Sequence, residues 1–224
     1  MIQRICVLGG TGFVGRGVIP ALLSAGFEIN ALVRKNSETK LPQSSACAAI
    51  TGDATKAEDI ARALNGCDAL VNLVGTRRAE MKKNNLSYAD VDLAAASAGI
   101  AAMRSTNVNR LILLSAGHIG ESAYVQTKKL AEQVVQNANV EWTILRPSYI
   151  IGPGQMWPII LNPMLSISAL VPGKIGRVAK LAQNVTRSSL ADSIVWSLVH
   201  TESIGKVFDV PAIRTLAKTF QRAA

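Results

Sequence analysis

The sequence predicts a doubly wound parallel α/β sheet, and three observations predict it. Short apolar runs alternate with helical stretches from the first residues to Pro147, the pattern of parallel strands joined by crossover helices. The runs are almost uniformly apolar, which fits strands buried on both faces. The first run ends in a glycine loop that opens a helix. At 224 residues the chain is expected to form one domain over 1–224, with 147–224 contributing a small substrate-side cap.

The elements follow in order. RICVLGG reads as a buried strand, and TGFVGRGVIPALLSAG as a helix closed by Gly26, with Pro20 inside it. FEINALVR and AAITGD are the second and third strands. TKAEDIARALNG has apolar residues at helical spacing and ends on Gly66; DALVNLVG is the fourth strand. YADVDLAAASAGIAAMRSTN is a long alanine-rich helix, RLILLSA a strand, YVQTKKLAEQVVQNA a helix and EWTILRPS a strand that stops at Pro147. Residues 147–187 are rich in Pro, Gly and apolar residues and read as an irregular cap. SSLADSIVWSLVH returns to helix with Ser188 or Ser189 as N-cap, and GKVFDV is a late strand. AIRTLAKTF is a short basic helix with Ile213, Leu216 and Phe220 on one face.

Composition narrows the function classes. The first apolar run reads as a strand rather than a signal peptide. The longest apolar stretch, Met156 to Gly173, is broken by Pro158, Pro163 and Pro172, which argues against a membrane span. A cytoplasmic protein is expected, although this segment could touch a membrane or a protein complex. Cys6, Cys47 and Cys67 have no metal or redox spacing and read as buried thiols. His118 and His200 read as ordinary polar residues, and no metal site is expected. The net charge of +9 includes a looser group at Lys174, Arg177, Lys180 and Arg187. It reads as a solvated surface, or as attraction to an anionic cofactor, an acidic substrate or an anionic membrane. Only 4% of residues are aromatic and none interleave with a basic stripe, so nucleic acid is not an expected partner.

VLGGTGFVG places Gly9, Gly12 and Gly15 at Gly-x-x-Gly-x-x-Gly spacing, with Thr11, Phe13 and Val14 in the same loop. Between a strand and a helix, such glycines permit a tight turn, close approach of backbone to a pyrophosphate, and close helix–strand packing. The helix N-terminus adds N–H groups and a positive dipole end. A dinucleotide cofactor is implied. The second strand ends on Arg34 and Lys35, where an NAD site often has a carboxylate for the ribose 2′-OH. A guanidinium there matches a 2′-phosphate, so NADP(H) is expected, with NAD(H) second. Asp53 could accept a hydrogen bond from the adenine amino group or cap the next helix, and Gly75 would let a cofactor pass close to the backbone.

Tyr124 and Lys128 lie four apart on a predicted helix, so they share a face. The spacing alone carries little. Their place just beyond the fifth strand, which Ser115 ends, puts them where open α/β sheets bind ligands. An ammonium near a tyrosine favours its phenolate and suits it to proton transfer at a carbonyl or alcohol. Lys128 could also hold a ribose, and Ser115 could hydrogen-bond a substrate oxygen.

With GGTGFVG, ALVR, GD, LLSA, YVQTK and WTILRPSYIIGPG in that order, the chain resembles the short-chain dehydrogenase/reductase superfamily in its extended-to-atypical branch. The likeness covers residues 1–155 well and extends more weakly to about 210. It implies a Rossmann fold, a nicotinamide cofactor and a Ser115, Tyr124, Lys128 active site, with Pro147 near the nicotinamide. Within the superfamily the chain is most similar to the branch of the nucleotide-binding accessory subunit of respiratory complex I, with relatives associated with quinone biosynthesis. Two functions are therefore implied. One is an NADP(H)-dependent oxidoreductase or epimerase-like enzyme acting on a hydrophobic carbonyl, alcohol or quinone. The other is a non-catalytic NADP(H)-binding accessory or redox-sensing protein. The loop between Ser115 and Tyr124 is short, and the region after Pro147 small, for a sugar-nucleotide pocket.

Overall fold

The computed structural model describes residues 2–76, 81, 85–117, 122–156, 159–160 and 162–223. His118 and Pro158 lie outside them. The strands are β1 (Arg4–Leu8), β2 (Glu28–Val33), β3 (Cys47–Thr51), β4 (Ala69–Asn72), β5 (Arg110–Leu114), β6 (Glu141–Arg146), β7 (Ile150–Ile151), β8 (Val185–Thr186) and β9 (Lys206–Asp209). The helices are α1 (Gly15–Ser24), α2 (Ala57–Leu64), α3 (Ala94–Arg104), α4 (Ala123–Gln136), α5 (Asn162–Ser168), α6 (Lys174–Ala182), α7 (Arg187–Val199) and α8 (Val210–Ala223).

The expected runs assemble into one seven-stranded sheet, ordered β3-β2-β1-β4-β5-β6-β9, and every pairing in it is parallel. Alternation along β1 shows why these strands are apolar throughout. Ile5 and Val7 enter one core, packed with α1, α7 and α8; Cys6 and Leu8 enter the other, packed with α2, α3 and α4. All four are fully buried, and burying each large aliphatic side chain contributes about 1.5–3 kcal/mol. The order reverses between β1 and β4, so their C-terminal ends diverge and leave a crevice.

Several boundaries differ from expectation. The first helix begins only at Gly15, because the preceding glycine loop turns back on itself through a Gly12 N–H to Gly9 carbonyl bond of 3.0 Å. A π-type turn, Ala89–Leu93, precedes α3 in the alanine-rich stretch. Region 147–187 is not irregular throughout: it holds α5 and α6, and β7 and β8 pair as a separate two-stranded ribbon. Strands this short have no periodicity to read. Thr186, not Ser188 or Ser189, caps α7, accepting from Ser189 N at 3.0 Å. Both serines sit inside the first turn, where Thr186 Oγ1 also contacts their hydroxyls. The last helix is longer than expected, starting at Val210, and buries Ile213 and Ala217 with Phe220 packed beside them. Of the cysteines only Cys6 is fully buried; Cys47 and Cys67 are half-buried. His200 stacks on Trp196, ring centroids 4.3 Å apart.

Candidate active site

A cavity of about 1090 Å³ runs along the C-terminal ends of the strands, just above the range of about 300–1,000 Å³ for ligand pockets. One side is built by the glycine loop. Gly9 has φ +76°, and a Cβ there would lie 3.0 Å from the Leu73 carbonyl group. A Cβ at Gly15 would collide with the Gly10 backbone. The loop thus tolerates side chains at neither point, and α1 sits tight against β1. Gly9, Thr11, Gly12, Phe13 and Val14 line the cavity, whereas Gly15 does not and serves the packing. Among the described residues no side chain caps α1; its Arg16 and Gly17 N–H groups already donate to the Gly12 and Val14 carbonyls, so what the helix offers an anion is its positive dipole end behind the glycine loop.

The far end lies beyond β2. Arg34, Lys35 and Lys40 line it and are exposed. Lys40 was not anticipated; the short 3₁₀ turn Glu38–Lys40 brings it there. Asp53 lines the cavity as well, but it caps no helix. Its Oδ1 accepts from Thr55 N (2.9 Å) and Thr55 Oγ1 (2.8 Å) in a local turn, and α2 starts without a side-chain cap.

The other end holds Gly75, Ser115, Tyr124, Lys128 and Pro147 together. Three strand ends and α4 deliver them. Ser122 caps α4 through Val125 N at 3.3 Å, which fixes the first turn and hence Tyr124. Lys128, one turn on, is buried. Its Nζ donates to the Val74 carbonyl at 3.0 Å and lies 2.7 Å from Asp92 Oδ1. Asp92 Oδ2 accepts from Thr76 N at 3.1 Å. A Cβ at Gly75 would meet Lys128 Nζ and Asp92 Oδ1 at 3.8 and 3.9 Å, ordinary contacts, so Gly75 abuts this pair without strain. Ser115 is 4% exposed, and its hydroxyl has no hydrogen-bond partner among the described residues. A buried hydroxyl left unbonded costs about 1–3 kcal/mol; a ligand oxygen would satisfy it.

Asp92 is the residue the sequence reading missed, and it changes the electrostatics. Lys128 was expected to draw the Tyr124 phenol toward phenolate. Instead burial, then the Asp92 carboxylate and Tyr88, hold that phenol above its ordinary range. Lys128 Nζ lies 5.8 Å from the Tyr124 ring centre, its charge already matched by Asp92. Tyr88 packs on Tyr124 with ring centroids 5.0 Å apart. The signal for Asp92 was a carboxylate at the head of an alanine-rich helix. Charged groups are almost never fully buried unless paired, so on that face it called for a partner. Arg187 was also missed as a neighbour of the loop: its guanidinium stacks on Phe13, 5.4 Å from the ring centre.

Taken together, this cavity fits an extended dinucleotide: a cradle that a Cβ would fill, cations at one end, and an unbonded hydroxyl beside a tyrosine at the other. Comparison with known proteins agrees in kind. Residues 9–156 match the model of a family described as NAD(P)H-binding. A ceramide reductase from Caulobacter vibrioides is 26% identical, over 79% of this chain and 56% of its own. A 4-hydroxy-2-methyl-3-oxo-4-farnesyl-3,4-dihydroquinoline-1-oxide ketoreductase from Stigmatella aurantiaca is 25% identical, over 67% and 51%. The chain thus spans about half the length of these relatives. Among solved structures, an oxidoreductase from Lactococcus lactis superposes with TM-score 0.70 at 23% identity, over 98% of this chain and 97% of that one. A short-chain dehydrogenase/reductase from Veillonella parvula in complex with NADP gives 0.66 at 16%, over 92% and 93%. At these identities the two structures speak for the fold.

Proposed function

The chain belongs to the NAD(P)H-binding family, and from that premise we propose that it is an NADP(H)-dependent oxidoreductase acting on a hydrophobic carbonyl or alcohol. The observation that carries this reading is the convergence of Ser115, Tyr124 and the Asp92-paired Lys128 on one end of the cavity. The glycine loop would hold the pyrophosphate, and Arg34, Lys35 and Lys40 a 2′-phosphate. Bound there, a nicotinamide supplies hydride transfer to or from carbon.

The chain's own residues handle the oxygen. Tyr124 keeps its proton across the physiological range, so it suits donation to a carbonyl oxygen in the reducing direction. Ser115 Oγ offers that oxygen a second hydrogen bond. Lys128, fixed by Val74 and Asp92, would position a ribose beside the phenol. By name, one relative is a reductase of ceramide and the other of a farnesyl-bearing ketone, which supports a greasy substrate over a sugar nucleotide.

A second reading has its own support. Asp92 matches the charge of the lysine, as would suit a site that grips cofactor without turnover. On this reading the chain is an NADP(H)-binding accessory or redox-sensing protein. The experiment is NADPH oxidation with a panel of hydrophobic ketones, aldehydes and quinones, for wild type and Tyr124→Phe. The expected outcome is turnover that falls about 10²–10⁴-fold in the variant with NADPH affinity retained. Tight NADPH binding with no turnover on any compound, and no effect of the substitution, would overturn catalysis in favour of the accessory reading. Absorbance of copurified cofactor tests NADP against NAD.

A further inference from the structure

The segment after Gln155 carries an exposed apolar surface that the cavity does not use. Ile160 is 78% exposed, Ile167 70% and Leu170 83%, with Met164, Ile175 and Val178 exposed nearby. Single exposed aliphatic residues are ordinary, but a run of them over α5, α6 and the turns flanking α5 marks an interaction surface. α6 buries Gly176 and Ala179, with Leu181 and Ala182 half-buried at its end, so the rest of its circumference faces out. That outer face interleaves Ile175 and Val178 with the exposed cations Lys174, Arg177 and Lys180.

Charge selects the occupant. From Trp142 to Ala191 the chain contains no Asp or Glu, against five Lys and Arg. A second copy of this face would bring like charges together with no carboxylate from the segment to offset them. An apolar surface studded with cations, in a chain of net charge +9, instead matches an interfacial helix on anionic lipid. Among the described residues no helix is long and apolar enough to cross a membrane, so the geometry is that of lying on the surface.

We propose that α5 and α6 dock the protein onto an anionic lipid surface. The chain leaves the cavity wall at Gln155 and enters the exposed apolar segment at Met156, so docking sets the cavity beside the bilayer, where a lipid-soluble substrate would enter. That entry route rests on the hydrophobic-substrate reading; the docking does not.

The test is flotation of the purified full chain with phosphatidylcholine vesicles, with and without one-third phosphatidylglycerol. Expected is binding to the anionic vesicles that weakens with salt and is lost in Ile167→Ser/Leu170→Ser. Lys174→Gln, Arg177→Gln and Lys180→Gln should each weaken it about five-fold. Retained NADPH affinity shows that the variants are folded. Failure of wild type to float with anionic vesicles, or flotation indifferent to the substitutions, overturns the proposal. So does a lipid-free dimer in analytical ultracentrifugation that Leu170→Ser dissolves, which would assign the face to a second copy. A chain that floats yet turns over no substrate refutes the enzymatic reading alone.

Discussion

The two ends of β5 each place a buried cation, and they treat it differently. At the N-terminal end Arg110 is 5% exposed. Its guanidinium donates to the Glu141 and Ser197 carbonyls and the Thr143 hydroxyl at 2.7 Å, and to Ser203 Oγ at 2.8 Å. Its donors meet neutral acceptors, and burial pushes its pKa down to about 10. At the C-terminal end Lys128 meets a carboxylate, and beside it the Ser115 hydroxyl is unused among the described residues. The first arrangement is closed and ties β5, β6 and α7 together. The second has hydrogen-bonding capacity left over and opens on a cavity. Burial of charge marks both; unspent capacity marks only the site.

Removing each cation should expose that contrast most strongly. Lys128→Met leaves Asp92 buried without its partner, and breaking a buried pair costs about 3–5 kcal/mol. Urea unfolding should show that loss, together with loss of NADPH binding. Lys128→Met/Asp92→Leu should recover much of the stability but none of the binding, which a double-mutant cycle would resolve. Arg110→Met should cost about 2–4 kcal/mol through its orphaned acceptors, yet leave NADPH affinity unchanged. A stable Lys128→Met protein with normal affinity would break the comparison.

How much of this was legible in the sequence follows from the same physics. The sheet strands announced themselves because both faces are buried, so each is an unbroken apolar run. The glycine loop was legible because its spacing is dictated by backbone collisions at Gly9 and Gly15. Ser115, Tyr124 and Lys128 were reachable through their place after β5. Asp92 and Lys40 were not. Lys40 reaches the cavity through the 3₁₀ turn after β2, and Asp92 reaches Lys128 behind it through the π-type turn before α3; both are tertiary placements, and neither spacing is periodic. α5 and α6 were hidden by Pro and Gly, which read as loop, and by exposed apolar residues that blur the helical stripe.

Asp92→Asn is a gentler probe of the same end. It keeps the shape and an acceptor for Lys128, and should cost about 1–3 kcal/mol. Its sharper readout is the tyrosine. With the carboxylate gone, Lys128 acts on Tyr124 unopposed, so the phenol should ionise at lower pH than in wild type. Tyrosinate absorbance against pH reads this directly, with Tyr124→Phe identifying the signal. In wild type the folded protein holds the Tyr124 proton to higher pH than the unfolded chain. Its linked stability is therefore full below the ordinary phenol range of about 10 and is lost as pH rises through the folded value. A Tyr124 titration unmoved by Asp92→Asn would show that burial alone sets it. Burial outweighs the Asp92 carboxylate in holding the phenol high, so the shift should be downward without returning to an ordinary phenol.

The smallest effects are expected from the third kind of cation, exposed at the far end of the cavity. Arg34, Lys35 and Lys40 are solvated, and a solvated charge adds little until a ligand desolvates it. Removing one should therefore leave stability within about 0.5 kcal/mol. What it changes is discrimination. A guanidinium can bond a phosphate through two parallel N–H donors, whereas an ammonium acts as a point charge. Arg34→Ser should thus weaken NADPH binding about ten-fold or more, a charge-assisted bond being worth about 1.5–3 kcal/mol, while leaving NADH nearly untouched. Lys40→Ser should weaken NADPH only a few-fold and more steeply at low salt. Titration calorimetry with both cofactors at two salt concentrations separates the cases. Equal losses for NADPH and NADH in Arg34→Ser would mean that these cations see only the pyrophosphate, and NAD would then become the expected cofactor.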